Sequence, residues 1–333
     1  MAPLAIAYER GYFEDEGLYV TLEAQANWKV LLDGVIDGQL DGAHMLAGQP
    51  LAATIGFGTK AHIVTPFSMD LNGNGITVSN AVWEQMKDNI PRQPDGWPVH
   101  PIKADYLKPV VEKFKAEGRP FKMGMVFPVS THNYELRYWL AAGGINPGYY
   151  APAKGDTSGT LKADALLSVT PPPQMPATLE AGTIYGYCVG EPWNTYAVTE
   201  GLGRTLITSF DIWNNHPEKV FAVTRIWAQS NPNTHQAVVT ALLEAAAWLD
   251  DPANRRETCE LLSQGRYVNA PLDVLEKSLT GTLQFSSDEK PRAAPDYNVF
   301  QRYAANFPWR SHALWFLSQM LRWGELRDPT QIE

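Results

Sequence analysis

Two segments, FPVSTHNYELRYW (Phe127–Trp139) and PPPQMPATLEAGTIYGYCVGEPWN (Pro171–Asn194), decide how this chain is read. The first reads as the end of a strand, a polar turn and a helix. Its turn offers Ser130, Thr131, His132 and Asn133 at a helix start, where free backbone N–H groups and the positive dipole end favour an anion. The second closes a short aromatic-rich strand at Gly190, Glu191, Pro192 and Trp193, just before another helix.

Outward from these segments, strands and helices alternate. Pro3 suits a first helical turn, Gly17 stops that helix, and Leu18–Ala24 alternates as a strand. Trp28–Ile36 is predicted helical, Gly42–Leu46 and Ile63–Met69 extended, and Asp88–Lys103 a polar, Pro-rich surface insertion. Phe121–Phe127, Ala165–Val169 and Ile184–Val189 read as strands, with Thr205–Ser209 and Val220–Thr224 as further extended segments. Asn233–Leu249, Ala270–Leu279 and Phe300–Trp323 read as helices. Such alternation predicts mostly parallel sheets covered on both faces, with ligands at the carboxyl ends of strands.

The chain has 333 residues, enough for two lobes of ordinary size, and its 44% apolar and 19% charged content is that of a globular protein. A net charge of −9 argues against nucleic acid, because no basic stripe is available to neutralise phosphates. Cys188 and Cys259 lie far apart without metal spacing; a disulfide between them does not follow from sequence, and Cys188 reads as a buried thiol. No stretch reaches the roughly 18 apolar residues of a membrane span. The first residues show no basic region followed by an apolar one, so no signal peptide is visible. No GxSxG, phosphate loop or clustered Cys/His spacing occurs, so no enzyme activity is expected.

The two segments, together with APLAIAYERGYFEDEGL, the Trp28 helix, DGAHML (Asp41–Leu46), LNGNGITVS (Leu71–Ser79) and NHPEKVF (Asn215–Phe221), resemble the nitrate/bicarbonate-binding family of ABC-transporter solute receptors. The resemblance covers most of the chain. It implies the periplasmic-binding-protein-like α/β fold of type II: a C shape of two lobes joined by two crossovers. Residues 1–78 plus 205–333 form a discontinuous first lobe and 79–204 the second, with crossings near Thr77–Ala81 and between Glu191 and Thr208. Members of the family begin with a short apolar strand, which is missing from the start of this sequence.

Six residues are expected to bind ligand. Trp28 sits at a strand-to-helix turn, and its indole N–H is a donor that suits an anion. Asn74, in NGNG, stands where the family carries a side-chain amide, while Asn72 and Gly73 read as turn chemistry. His132 and Thr131 share a helix start, and nitrate-type receptors carry a His in this block. Glu191 lies beside the proposed pocket, although a hinge-pinning role suits its charge better. Asp211 falls near the position where the family changes between lysine for nitrate and an acidic residue for bicarbonate with a metal ion. Arg204 and Lys219 are alternative sources of positive charge, and His44 is expected either to pack under the cleft or to line it. The other histidines, His216 among them, have no expected ligand role.

The expected function is that of a periplasmic receptor delivering nitrate, or nitrite, to an ABC permease. The receptor is expected to be a monomer, to bind a small inorganic anion and no nucleic acid, and to hold no cofactor. Calcium enters only if the ligand is bicarbonate, with Glu191 and Asp211 as its ligands. Two other readings stand beside this one. One is a cytoplasmic nitrate/nitrite sensor that controls an antiterminator; the other is an enzyme related to the pyrimidine-precursor synthases of thiamine metabolism.

Overall fold

The computed structural model describes residues 1–329. Its frame is eight strands: β1 (Ala43–Leu46), β2 (Ile63–Ser68), β3 (Asn74–Ser79), β4 (Phe121–Met125), β5 (Ala165–Val169), β6 (Gly186–Gly190), β7 (Gly203–Thr208) and β8 (Lys219–Thr224). They form two separate sheets, one of three strands in the order β1-β8-β2 and one of five in the order β7-β3-β6-β4-β5. Each sheet is the centre of one lobe. The expectation of mostly parallel sheets needs correction. In the first sheet β8 runs antiparallel to both neighbours. In the second, β7-β3 and β3-β6 are antiparallel, and only β6-β4 and β4-β5 are parallel. The two connecting segments re-enter a sheet in reverse, which a strand–helix alternation does not reveal.

The crossings also differ from those expected. β3 pairs with β6 along Asn74–Val78, and β7 pairs with β3 from Gly203 to Thr208, so both strands lie inside the five-stranded sheet. The chain therefore passes between sheets at 69–73 and again at 209–218. At the first crossing Asn72 takes φ 65° and Gly73 φ 84°; a Cβ on Gly73 would stand 2.6 Å from Asn298 Oδ1. Asn72 Nδ2 donates to the Asp296 carbonyl at 2.8 Å and to Asn215 Oδ1 of the second crossing, which braces one crossing against the other.

Ile76, Val78, Met123, Leu136, Trp139 and Leu206 fill the core of the second lobe. In the first lobe the helix Pro232–Asp250 packs on Ala2–Glu9, and Phe67 and Phe221 lie beneath them. A third cluster joins Val129 and Tyr134 from the second lobe to Met45, Ala52, Phe316 and Met320 from the first, so the lobes are packed together. Cys188 and Cys259 are buried free thiols in different cores. Leu18–Ala24 forms no ladder, and Tyr19 within it is 96% exposed; an alternating pattern becomes a strand only where a neighbour supplies the hydrogen bonds. Residues 300–309 are not α-helical, and the last described helix runs over Arg310–Trp323. Pro308 bars a regular helix there.

Candidate functional site

Local sequence sets the two helix starts. In α1 (Trp28–Ile36), Asn27 Oδ1 accepts from the Val30 N–H at 2.9 Å. In α2 (Thr131–Ala142), Ser130 Oγ accepts from the Asn133 N–H at 3.1 Å. Each cap satisfies an otherwise unpaired N–H and fixes the side chains just after it. Gln49, which the sequence did not single out, fastens the Trp28 turn to β1: its Nε2 donates to the Trp28 carbonyl at 3.0 Å and its Oε1 accepts from the Leu46 N–H at 3.1 Å.

Trp28 and His132, on different lobes, meet through two residues at the start of β8. Glu218 Oε1 lies 2.9 Å from His132 Nε2, and Glu218 Oε2 accepts from the Lys219 ammonium. That ammonium stands 5.3 Å from the centre of the Trp28 ring, whose edge meets His44 with centroids 5.6 Å apart. Thr131, fully buried, donates its hydroxyl to the Pro217 carbonyl at 3.2 Å, a second tie between lobes. Asp70 Oδ1 accepts from the Lys219 N–H at 2.9 Å and so fixes the backbone that carries the ammonium. Burial alone would push the Glu218 carboxyl up, but Lys219 and His132 hold it well below the usual carboxylate range. Glu218 is thus an ionised carboxylate that aligns two donor groups side by side.

Asn74 enters from below. It is buried opposite Gly190 in the β3-β6 ladder, and its backbone N–H donates to Ser209 Oγ at 3.1 Å. Its Nδ2 donates to Glu135 Oε2 at 3.0 Å, and Glu135 Oε1 lies 3.0 Å from His216 Nε2. Burial lowers the His216 pKa, but Glu135 outweighs it and the net direction is upward. A Cβ on Gly190 would stand 3.3 Å from Asn74 Oδ1 and 3.6 Å from His132 Nε2, so this glycine keeps a small corner open between them.

The structure therefore brings Trp28, Thr131, His132 and Asn74 to one seam and leaves two expected ligands outside it. Asp211 is exposed and caps its own short helix, with Oδ2 accepting from the Thr208 hydroxyl at 2.7 Å and N–H at 3.3 Å. The Thr-x-x-Asp spacing, a capping box, explains this residue locally. Glu191 follows β6 within the second lobe, outside both crossing segments, and is engaged there: it accepts from the Thr195 N–H at 3.1 Å and the Tyr297 hydroxyl at 3.0 Å, and burial raises its pKa to about 7. Arg204 pairs with Glu289 and Asp288, and the side-chain ammonium beside Trp28 is that of Lys219. His44 touches Trp28 from its edge. Glu218, Glu135 and His216 were missed as site-forming groups. One signal was present: His132 and Glu135 stand at i and i+3, on one helix face. Glu218 and His216 lie within NHPEKVF, but nothing in that string names their partners.

The model of the NMT1-like family matches residues 1–263. The nitrate/nitrite binding protein NrtA of Nostoc sp. is 33% identical over 338 residues, covering 100% of this chain and 70% of its own length. The nitrate import ATP-binding protein NrtC of Synechocystis sp. is 37% identical over 338 residues, covering 98% of this chain; the chain spans only 45% of that relative. Among solved structures, the periplasmic nitrate-binding protein NrtA from Synechocystis superposes with a TM-score of 0.85 at 31% identity, covering 99% of this chain and 80% of that one. The fold is that of the periplasmic binding proteins, and the chain belongs to the NMT1-like family.

Proposed function

We propose that this chain is the solute receptor of an ABC importer, not an enzyme, and that it captures a small trigonal oxyanion, nitrate or nitrite, between its lobes. One observation carries the reading: Glu218 holds the Lys219 ammonium of the first lobe and the His132 imidazole of the second side by side, with the Trp28 indole against the ammonium. Flat donors around a flat anion, with one fixed cation, suit nitrate. Relatives named as nitrate/nitrite binding proteins support it. In this reading the receptor works as a monomer in the periplasm, uses no cofactor, and presents its closed lobes to a membrane permease. Calcium would join only with bicarbonate, and Glu191 and Asp211 are poorly placed to hold it there.

Calorimetric titration with nitrate, nitrite and bicarbonate, with and without calcium, tests this directly. Nitrate should bind the wild-type chain and bind Trp28→Ala and His132→Ala at least about tenfold more weakly. Unchanged affinity in both variants would refute the site.

A second reading has its own support. The relatives at 37% identity are named as ATP-binding proteins of nitrate or bicarbonate import, and the chain matches 44–45% of their length. Under that reading the same cleft is the anion-sensing part of an importer ATPase. Co-purification with a nucleotide-binding partner, or a nucleotide-binding segment on the same polypeptide, would favour it.

A further inference from the structure

Behind the anion site lies a buried polar chain that touches no solvent: Asn74, Glu135 and His216 are each 0% exposed. His216 Nδ1 lies 3.1 Å from the Pro217 carbonyl, which can only accept, so that nitrogen carries a proton. His216 Nε2 stands 3.0 Å from Glu135 Oε1 as an ion-pair contact, which holds the carboxyl in place. The other oxygen, Glu135 Oε2, accepts an N–H from Asn74 at 3.0 Å. The Asn74 amide has one orientation left. Its Oδ1 has no hydrogen-bond partner within the protein and faces the corner that Gly190 keeps open beside His132.

We propose that the buried Glu135–His216 pair is a positioning element that sets the specificity of the anion site: it turns the Asn74 amide so that a carbonyl oxygen, not an N–H, meets the ligand. This rests on the anion-receptor reading above. An anion that carries a proton donates directly to Asn74 Oδ1. Nitrate has only acceptors and meets that corner through a donating water. The pair thus narrows the gap between nitrate and a proton-bearing trigonal anion such as hydrogencarbonate, without touching either.

The test is titration of the folded chain with sodium nitrate and sodium hydrogencarbonate in mildly alkaline buffer. The readout is the ratio of the two dissociation constants. Glu135→Met removes the acceptor and frees the amide to turn, so the ratio should move toward nitrate by about tenfold. Glu135→Gln should keep the wild-type ratio: His216 holds its Nδ1 proton on Pro217, its Nε2 accepts from the new amide, and the amide oxygen still faces Asn74. Gly190→Ala covers Oδ1 with a methyl group and should shift the ratio in the same direction as Glu135→Met, even if the latter fails to fold. A loss of packing would weaken both anions alike, so only positioning moves the ratio. A ratio unchanged in both Glu135→Met and Gly190→Ala overturns the inference, as does a wild-type chain that binds nitrate but no hydrogencarbonate. Binding of neither anion removes the receptor reading itself, and this inference with it.

Discussion

Replacing Lys219 with Met should separate the contribution of the cation from that of the cleft. The ammonium stacks on Trp28 and pairs with Glu218, and its chain is only partly exposed. Two unit charges about 4 Å apart interact by about 4 kcal/mol at an effective dielectric constant of about 20. Part of that attraction is already offset by Glu218, so the loss in anion binding should be about 2–4 kcal/mol, roughly 30- to 1,000-fold in Kd. A second effect adds to it. With Lys219 gone, Glu218 loses its lysine partner, keeps His132, and faces the incoming anion with less of its charge offset. Adding Glu218→Gln to Lys219→Met should therefore recover about tenfold of the lost affinity and some of the lost thermal stability. The assay is calorimetric titration of nitrate into wild type, both single variants and the double variant, with circular dichroism to confirm folding. A folded Lys219→Met chain that binds nitrate within about twofold of wild type would show that the anion lies elsewhere. A double variant no better than Lys219→Met would show that Glu218 does not face it.

Three further outcomes are expected. A Cβ on Gly48 would stand 2.1 Å from the Val129 carbonyl oxygen of the other lobe, so Gly48→Ala should hold the lobes apart; small-angle scattering should show a larger radius of gyration, and nitrate affinity should fall at least about tenfold. Asp211→Ala removes a helix cap and should cost about 1 kcal/mol in chemical denaturation while leaving anion affinity unchanged, since its carboxylate serves only Thr208. Burial raises the Glu325 carboxyl from 4.5 to about 8, against the Tyr134 hydroxyl that donates to it. Between those values the native state binds more protons than the unfolded chain, so stability falls as pH rises through that window; Glu325→Gln should flatten the slope, measured as thermal midpoint against pH.

What the sequence settled by itself was local. The alternation of strands and helices and the placing of Trp28, Thr131 and His132 at helix starts all depend on residues within a few positions of one another. Helix and turn hydrogen bonds are short-range, so neighbouring residues suffice to read where a helix begins. Asp211 shows the limit of that reading: its capping box was equally local, but its expected role came from its position in the chain and not from its neighbours. Tertiary structure decided the rest. Glu218 joins His132 across 86 residues and Asn74 reaches Glu135 across 61, and no periodicity encodes which carboxylate finds which donor. The two crossings decide it, because they set how the two sheets face each other. That packing brings Lys219 to the seam and buries Glu135 against His216, where each charge must find its partner inside the protein.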